Sequence, residues 1–480
     1  MTYNKVNNII GWAVFGIATA VYLLSMSPTA SFWDCGEFIA CANELEVPHP
    51  PGAPFFLILG RFFAMFAPGP ESVAYMVNLV SVFAGSFCVL FVFWSTTYLA
   101  KKLVSPKDAN PTGQSLVAIM SAGIVGGLVC TFADSIWFNA VEAEVYSLSS
   151  FFTGIVVWLM FKWEARSEEP DNMKWVIMIA FVMGMSIGAH LLNLLTIPAL
   201  AFIYYFKKYD FTWLGAIVTF GISVFILGFI QYGVIQMSVE LTWGFEQMLV
   251  GVEEITNGTA ANRSGMGLPL GTGVLLFLFL SIGSLTLLTV VTQSDKLYNR
   301  FFNNRGQKLR VILNTVAWSL VMIGVGYSSY SMIVIRAGSG TPLNENDPSS
   351  VSSMLSYLKR EQYGDRPLFR GVRYNDLSPS NQVVKEGRRV FVNLHEPRML
   401  PDGNYSLADG KSLTVKGNMV SNFAPAANDG DDYVGKLKDG RKFRVDLKTK
   451  KAFRVEDRYL WNGNKQDVSY KRGHVMFPRM

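Results

Sequence analysis

The feature that most constrains this chain is a series of apolar blocks, each long enough to cross a membrane. A spanning helix needs roughly 20 apolar residues to cross a hydrocarbon core of about 30 Å. The 480-residue chain is 50% hydrophobic and only 16% charged, a combination that excludes an ordinary soluble domain. Nine crossings are predicted, at residues 9–26, 73–99, 115–133, 146–162, 174–189, 191–206, 212–236, 269–292 and 311–334. The sequence therefore predicts an α-helical polytopic membrane protein.

The first apolar run has two interpretations. With Lys5 as its basic start and cleavage near Ala30, it resembles a secretory signal peptide. However, the run is long for the apolar part of such a signal, and the acidic motif that follows has a clearer use if it stays tethered to the bilayer. We therefore expect a membrane helix.

The basic residues between the apolar blocks predict the topology. Lys and Arg near the ends of membrane segments mark the cytoplasmic side. Every second loop, together with Lys5, holds 14 Lys and Arg residues in total. The loops that alternate with these hold only two Lys or Arg residues but 12 Asp and Glu residues. This places the amino terminus in the cytoplasm and the acidic loops outside. Residues 54–66, with Arg61 in their middle, are too short to cross, and we expect them to re-enter or to lie in the interface.

The chain is predicted to divide into a transmembrane domain, 1–336, and an extramembrane α+β domain, 337–480, which is either whole or part of a larger domain. The second part is polar and lacks a membrane-length run. Residues 349–363 read as an amphipathic helix, and short alternating stretches between DG and NG turns read as β-hairpins. An odd number of crossings places this domain outside, which is the periplasm if the membrane is a bacterial inner (cytoplasmic) membrane.

Two carboxylates follow the first crossing. Asp34 and Glu37 are three residues apart, so a helix that begins near Trp33 would point both the same way. One interpretation is ordinary, because Asp caps helices and carboxylates favour a helix N-terminus. The other is functional, because an acid at a membrane boundary among aromatic residues has a pKa that its surroundings tune for general-base work. We favour the second.

Other candidates lie in the outer loops. The proline-rich turn VPHPPGAP redirects the chain, and His49 within it is either structural or a hydrogen-bonding group for a sugar or phosphate. Arg61 is either an interfacial residue or a phosphate-binding cation. In the second outer loop, Glu144, next to Tyr146, is the acid that we expect to share a site with Asp34, although a solvated loop end is an equal alternative.

The remaining polar candidates lie near apolar segments. His190 and Asn193 are about one turn apart, and such residues usually form interhelical hydrogen bonds or line a cavity. Arg336, at the end of the ninth crossing, either anchors at headgroups or meets a lipid phosphate, and Arg263, in the third outer loop, is a further cation suited to a lipid phosphate. No Cys or His spacing typical of a metal site occurs, so no metal ligands are predicted.

Four stretches carry a resemblance to a known family. They are WDCGEFIACANELEVPHPPGAPFFLILGRFF, WFNAVEAEVYSL, GAHLLNLLTIPAL and REQYGDRPL. They resemble a family of multi-pass proteins, found in bacteria and animals, that includes the O-mannosyltransferase acting on plexin-type receptor domains. That family is similar to the GT-C glycosyltransferases. The resemblance covers residues 9–205 well and 336–370 more loosely.

The resemblance implies a membrane enzyme that moves a sugar, with mannose expected, from a polyprenyl-phosphate carrier to a protein Ser or Thr hydroxyl on the external face. It implies Asp34 as the base and Glu37 as a positioning residue. The lipid phosphate is already a good leaving group, so cations, exclusion of water and one base would suffice. No cofactor is required, although Asp34, Glu37 and a second acid would suit a divalent ion.

Two other classes of protein stay open. A transporter or lipid flippase would show internal repeats and midplane charges, and neither is evident. A non-catalytic scaffold would have no use for a clustered acidic site. The expected partners are membrane lipids, the lipid-linked donor and an acceptor protein. Nucleic acid is excluded, because the net charge of +6 comes from cytoplasmic anchoring and from a modest excess in 337–480.

Overall fold

The computed structural model confirms a polytopic helical membrane protein with an α+β region. It describes residues 2–476 except 107–109, 257–258, 303–305, 365–369, 373–381, 394–398, 408, 418, 422, 424–431, 439–441, 455–458 and 471–473. Within these residues the chain forms two compact units. Unit 1 contains residues 1–237, 280–349 and 356–362, and unit 2 contains 238–279, 350–355 and 363–480. The division into 1–336 and 337–480 stays a prediction.

The helices follow the apolar blocks of the sequence. They are α1 (Tyr3–Ser25), α2 (Cys35–Glu44), α3 (Pro54–Ala64), α4 (Val73–Val104), α5 (Gly113–Phe132), α6 (Asp134–Ala140), α7 (Val145–Ala165), α8 (Met173–Ile187), α9 (Ile197–Lys208), α10 (Trp213–Gly228), α11 (Ser238–Leu249), α12 (Thr272–Gln293), α13 (Asp295–Phe302), α14 (Gln307–Tyr327), α15 (Tyr330–Gly338) and α16 (Val351–Leu358). A π-helix, Phe229–Met237, joins α10 to α11. Three 3-10 segments are Pro70–Ser72, Leu191–Thr196 and Glu361–Tyr363.

Seven of the nine predicted crossings coincide with helices that are long and apolar enough to span a membrane, among the residues described. The other two, 174–189 and 191–206, correspond to the shorter α8 and α9, which are separated by the 3-10 segment. The chain turns between Gly188 and His190, at the boundary between these two predicted crossings. As predicted, α3 is short, with 11 residues; its place in the interface stays a prediction.

The core of unit 1 is built around α4, which packs against α1, α5 and α7. Tyr22, Phe93 and Ile119 are fully buried where α1, α4 and α5 meet. At a second contact, α8 crosses α14 so closely that a Cβ at Gly184 would lie 2.5 Å from the carbonyl oxygen of Ile323. Such close approach is typical of membrane helices that pack through small residues.

Unit 2 contains four small sheets among the described residues. Their strands are β1 (Val252–Thr256), β2 (Thr259–Ser264), β3 (Arg370–Val372), β4 (Gln382–Asn393), β5 (Gly403–Ser406), β6 (Ser412–Lys416), β7 (Met419–Ser421), β8 (Asp432–Lys436), β9 (Lys442–Asp446), β10 (Lys451–Arg454), β11 (Tyr459–Tyr470) and β12 (His474–Met476). The sheet orders are β2-β1-β11-β4, β10-β9-β8, β5-β6-β7 and β12-β3. All pairs are antiparallel except β1 with β11.

The predicted hairpins are confirmed in β8–β9–β10, where the side chains alternate as a half-buried sheet requires. Phe443 and Val445 on β9 are buried and pack with Leu413 and Val415 from β6. The predicted helix at 349–363 is shorter than expected: α16 ends at Leu358, and a 3-10 turn follows Arg360. Arg360 interrupts the helix because its φ of 54° is left-handed.

Candidate functional site

The acidic pair stands at the start of α2, and the two carboxylates have different settings. Asp34 is the N-cap residue of α2, but its side chain makes no hydrogen bond to the backbone of the first turn. The carboxylate therefore does not cap the helix. The side chain of Asp34 is 55% exposed, whereas that of Glu37 is 23% exposed. Of the aromatic residues around them, Phe38 is buried, while Phe32 and Trp33 are exposed.

His49 brings the two carboxylates together. Its backbone N–H donates to Glu37 Oε1 at 2.6 Å, and its ring Nδ1 lies 2.8 Å from Glu37 Oε2. On the opposite side of the ring, Nε2 lies 3.8 Å from Asp34 Oδ2. The imidazole therefore stands between the two acids, and Glu37 fixes its orientation.

The proline-rich turn holds His49 in this position. The Pro50–Pro51 peptide bond is cis, and the N–H of Gly52 donates to the carbonyl of His49 at 2.9 Å. The Tyr357 hydroxyl donates to the carbonyl of Pro48 at 2.5 Å, and a Cβ at Gly52 would lie 2.6 Å from the same hydroxyl. Since Gly52 also has a φ of +72°, only glycine fits here without strain.

The pKa values of this pair follow from its contacts. Burial raises the pKa of Glu37, but the hydrogen bonds from His49 outweigh it and leave that pKa below its ordinary value. The hydrogen bond with Glu37 raises the pKa of His49, with a further contribution from the charge of Asp34, against burial and the charge of Arg360. These shifts favour an imidazolium between two carboxylates.

The N-terminus of α7 supplies a third acid. The Glu144 carboxylate is buried, and burial raises its pKa to about 7, with smaller contributions from the nearby acids Asp34 and Glu142. Its backbone is fixed because its carbonyl accepts a hydrogen bond from Ser81 of α4 at 3.2 Å. Glu144 is therefore poised between its neutral and charged forms near neutral pH.

A cavity of about 200 Å³ joins these groups within unit 1. Asp34, His49 and Glu144 line it, together with Tyr146 and His190, whose rings contact each other with centroids 5.1 Å apart. His190 Nδ1 accepts a hydrogen bond from the N–H of Leu192 at 3.1 Å, which defines the ring orientation at the turn after α8. Burial lowers the pKa of His190, so this imidazole is neutral at pH 7.

Arg360 also lines this cavity and was missed by the sequence analysis. It follows α16, and its charge lowers the pKa values of His49 and His190. A signal was present, because Arg360 begins the stretch REQYGDRPL that carried the resemblance. Nothing in the sequence, however, indicated that this residue, more than 300 positions after Asp34, lies beside the acids.

Other predicted site residues lie elsewhere. Arg61 donates to the carbonyl of Asn43, and Arg336 donates to the carbonyls of Leu45 at 2.7 Å and Glu44 at 3.0 Å. Both arginines thus satisfy carbonyls at the C-terminal end of α2, which otherwise lack helical partners. They support the helix that carries Glu37 and do not line the cavity.

Of the last two candidates, Asn193 is also outside the cavity lining. Asn193 is buried in the 3-10 segment, where its Oδ1 accepts from the Thr153 hydroxyl of α7 at 3.4 Å, as interhelical hydrogen bonding predicts. Arg263 lies on β2 in unit 2, and its side chain is outside the described residues.

The same side chains form a candidate metal-ligand set. Asp34, Glu37 and His49 each present one donor atom, all within 4.8 Å of one another. The Nδ1 of His49 already hydrogen-bonds Glu37, so the ring nitrogen left for an ion is Nε2, which faces Asp34.

Comparison with known proteins shows which family part of this chain resembles. Residues 34–213 match the model of the "Protein O-mannosyl-transferase TMEM260 N-terminal domain". The predicted resemblance is confirmed. The matched segment begins at Asp34 and includes every cavity residue named above except Arg360.

Two curated relatives bear the same name. The Mus musculus protein O-mannosyl-transferase TMEM260 is 30% identical over 175 residues, which are 36% of this chain and 22% of the relative. The Dictyostelium discoideum protein O-mannosyl-transferase tmem260 is 27% identical over 257 residues, 50% of this chain and 29% of the relative. The chain thus spans less than a third of the length of either. No solved structure matches it significantly.

Proposed function

We propose that this chain is a membrane glycosyltransferase of the GT-C type. It moves a sugar, with mannose expected, from a polyprenyl-phosphate carrier to a Ser or Thr hydroxyl of an acceptor protein. The observation that carries the proposal is the cavity at Asp34, where an exposed carboxylate from a segment similar to protein O-mannosyl-transferases lines the same space as the cation Arg360. Its volume of about 200 Å³ equals that of about seven waters in the liquid, which suits one sugar unit.

Asp34 is the proposed catalytic base. The acceptor oxygen attacks the anomeric carbon, its proton passes to Asp34, and the bond between that carbon and the phosphate oxygen breaks with its electrons going to the phosphate. Attack from the face opposite the phosphate inverts the anomeric configuration. A general base contributes typically 10²–10⁴-fold to a rate.

Glu37 and His49 position this base. Because His49 is held by two hydrogen bonds to Glu37 and its other nitrogen lies 3.8 Å from Asp34 Oδ2, it is the group proposed to set the orientation of the Asp34 carboxylate. Arg360 is the cation proposed for the leaving phosphate, in place of Arg61 and Arg336, which bind the end of α2.

The proposed setting is the outer face of a bacterial inner membrane, with the amino terminus in the cytoplasm and the C-terminal region in the periplasm. No metal is required in this reaction. We therefore expect transfer by the purified chain to persist when a chelator such as EDTA is added.

Sugar transfer by an Asp34→Asn variant tests the proposal. The full chain is reconstituted with a polyprenyl-phosphate mannose and a Ser- and Thr-containing peptide, and the mannosylated peptide is measured by mass spectrometry. We expect Asp34→Asn to lower the rate at least 100-fold, while Asp134→Asn, an exposed aspartate at the start of α6, leaves it unchanged. A scaffold or a flippase would show no transfer by the unaltered chain either, which would refute the proposal.

A second variant tests the phosphate contact. Replacing Arg360 with Gln should raise the KM for the lipid-linked donor more than it lowers kcat, because the cation binds the phosphate before the bond breaks. A KM equal to that of the unaltered chain would remove Arg360 from the proposed site.

A further inference from the structure

The cavity at Asp34 has a buried wall that the proposed mechanism leaves unused. Glu144 stands at the start of α7, and His190 stands at the start of the 3-10 segment that follows α8. Both line the cavity together with Tyr146, whose ring contacts that of His190. Glu144 is only 4% exposed, whereas the side chain of Asp34 is 55% exposed. The cavity therefore contains one exposed and one buried carboxyl group.

The side chains of Glu144 and His190 are each held through one polar atom, which leaves the other atom available. Glu144 Oε2 accepts a hydrogen bond from the N–H of Val145 at 3.1 Å. His190 Nδ1 accepts from the N–H of Leu192, so the proton of this neutral ring is on Nε2, which is a donor. No described residue hydrogen-bonds Glu144 Oε1 or His190 Nε2, and both atoms keep surface that is open to the cavity.

A sugar hydroxyl matches this pair of atoms. A hydroxyl group both donates and accepts, so hydroxyls of one sugar can accept from His190 Nε2 and donate to Glu144 Oε1. The ring of Tyr146 adds an apolar surface beside them. A few placed polar groups on an otherwise apolar wall are typical of sites that fix the orientation of a small ligand.

We propose that Glu144 and His190 hydrogen-bond hydroxyl groups of the donor sugar and thereby select that sugar. This inference rests on the proposed function and assigns the residues that hold the sugar within it. The acceptor protein arrives from outside, so its hydroxyl meets the exposed Asp34, whereas the sugar meets the buried wall. A sugar that lacks the bound hydroxyl leaves a buried polar group unpaired, which is the strongest basis for rejecting it.

Binding of two lipids by the detergent-solubilised full chain tests the proposal. The probes are a short-chain polyprenyl-phosphate mannose and the same polyprenyl phosphate without a sugar. Each is titrated by calorimetry in the absence of an acceptor peptide. The ratio of the two Kd values reports on the sugar, because the tail and the phosphate contribute to both affinities.

The variants separate hydrogen bonding from support of the fold. His190→Asn keeps a side-chain acceptor for the N–H of Leu192, as a residue at a helix start requires, but removes the Nε2 donor. Glu144→Met removes both carboxyl oxygens at similar volume, whereas Glu144→Gln retains a side-chain acceptor and is the conservative rescue. Glu71→Met is the matched control, since Glu71 is exposed and outside the cavity lining.

We expect the unaltered chain to bind the mannose-bearing lipid more tightly than the bare polyprenyl phosphate. His190→Asn and Glu144→Met should each lower this preference roughly 3- to 10-fold, which is the effect of one lost hydrogen bond. Glu144→Gln and Glu71→Met should retain it. The affinity for the bare polyprenyl phosphate should be the same in all these proteins.

The absence of any preference in the unaltered chain, or an unchanged preference in His190→Asn, would overturn the proposal. An equal loss of affinity for both lipids would also overturn it, because these residues would then support the fold alone. If Glu144→Met does not fold, His190→Asn decides the outcome. A preference that His190→Asn weakens, in a chain that makes no mannosylated peptide, would support this sugar site and refute the transferase. Transfer to the peptide with an unchanged preference would do the reverse.

Discussion

Replacing Glu37 with Gln tests whether the Glu37–His49 pair holds the candidate site together. In the structure Glu37 accepts two hydrogen bonds from His49, and both side chains are only about a quarter exposed. Hydrogen bonds to a charged group contribute about 1.5–3 kcal/mol each, against about 1 kcal/mol for the single neutral bond that Gln retains. Because both side chains are partly exposed, solvent screens these contacts and weakens them. We therefore expect the free energy of unfolding to fall by about 2–3 kcal/mol at pH 6.

The same variant makes a prediction about pH. The pKa of His49 is raised in the folded state, so its stabilising contribution is complete below its unfolded pKa of about 6.5 and is lost as the pH rises through the folded pKa. The pKa of Glu37 is lowered, so its contribution is present above about 4.5 and is lost as the pH falls. The difference between the variant and the unaltered chain should therefore be largest near pH 5.5–6 and fall to about 1 kcal/mol at pH 9.

Denaturant unfolding in detergent at pH 6 and pH 9, followed by tryptophan fluorescence, measures this difference. Glu71→Gln is the matched control, since Glu71 is an exposed acid of the same outer loop region. A Glu37→Gln variant no less stable than Glu71→Gln, or a loss of the same size at both pH values, would show that the charge-assisted contacts with His49 do not stabilise the fold. Transfer should also weaken in Glu37→Gln, but by less than in Asp34→Asn.

Three further outcomes are expected. Burial raises the pKa of Glu144 to about 7, so the stabilising contribution of this group is complete below about pH 4.5 and is lost as the pH rises through 7. Glu144→Gln should therefore gain stability relative to the unaltered chain as the pH rises from about 5 to about 8.5. A stability difference that stays constant over this range would contradict the prediction. Gly326→Ala should lower the melting temperature, because the added Cβ would lie 2.4 Å from the backbone of α8 and overpacking costs about 1–3 kcal/mol. The control is Gly324→Ala on the same helix, whose Cβ would meet nothing within 4 Å and should leave the melting temperature unchanged. Arg336→Gln should destabilise the protein by about 1–3 kcal/mol in denaturant unfolding, since it leaves carbonyls at the end of α2 unpaired. An unchanged KM for the lipid-linked donor in this variant would show that Arg336 supports the helix and does not bind the donor phosphate.

The sequence by itself determined the membrane architecture. Apolar runs of helical length leave the chain no other way to satisfy its backbone in lipid, and among the described residues seven predicted crossings are helices long and apolar enough to span a membrane. It also identified Asp34, Glu37, His49, Glu144, Tyr146 and His190 as candidates, because polar groups at membrane boundaries are costly and therefore conspicuous. The division into 174–189 and 191–206 followed from the basic residues that flank this region at both ends, since two crossings return the chain to the cytoplasmic side.

Only the tertiary structure decided which of these residues meet. The spacing of Asp34 and Glu37 indicated a shared helix face, but it did not show that His49 stands between them, because that contact depends on the turn fixed by Gly52 and Tyr357. Nor did it place Arg360 in the cavity, or Arg336 on the carbonyls of α2, nearly 300 residues earlier in the chain. Contacts at such separation arise from how helices pack, which local pattern does not encode.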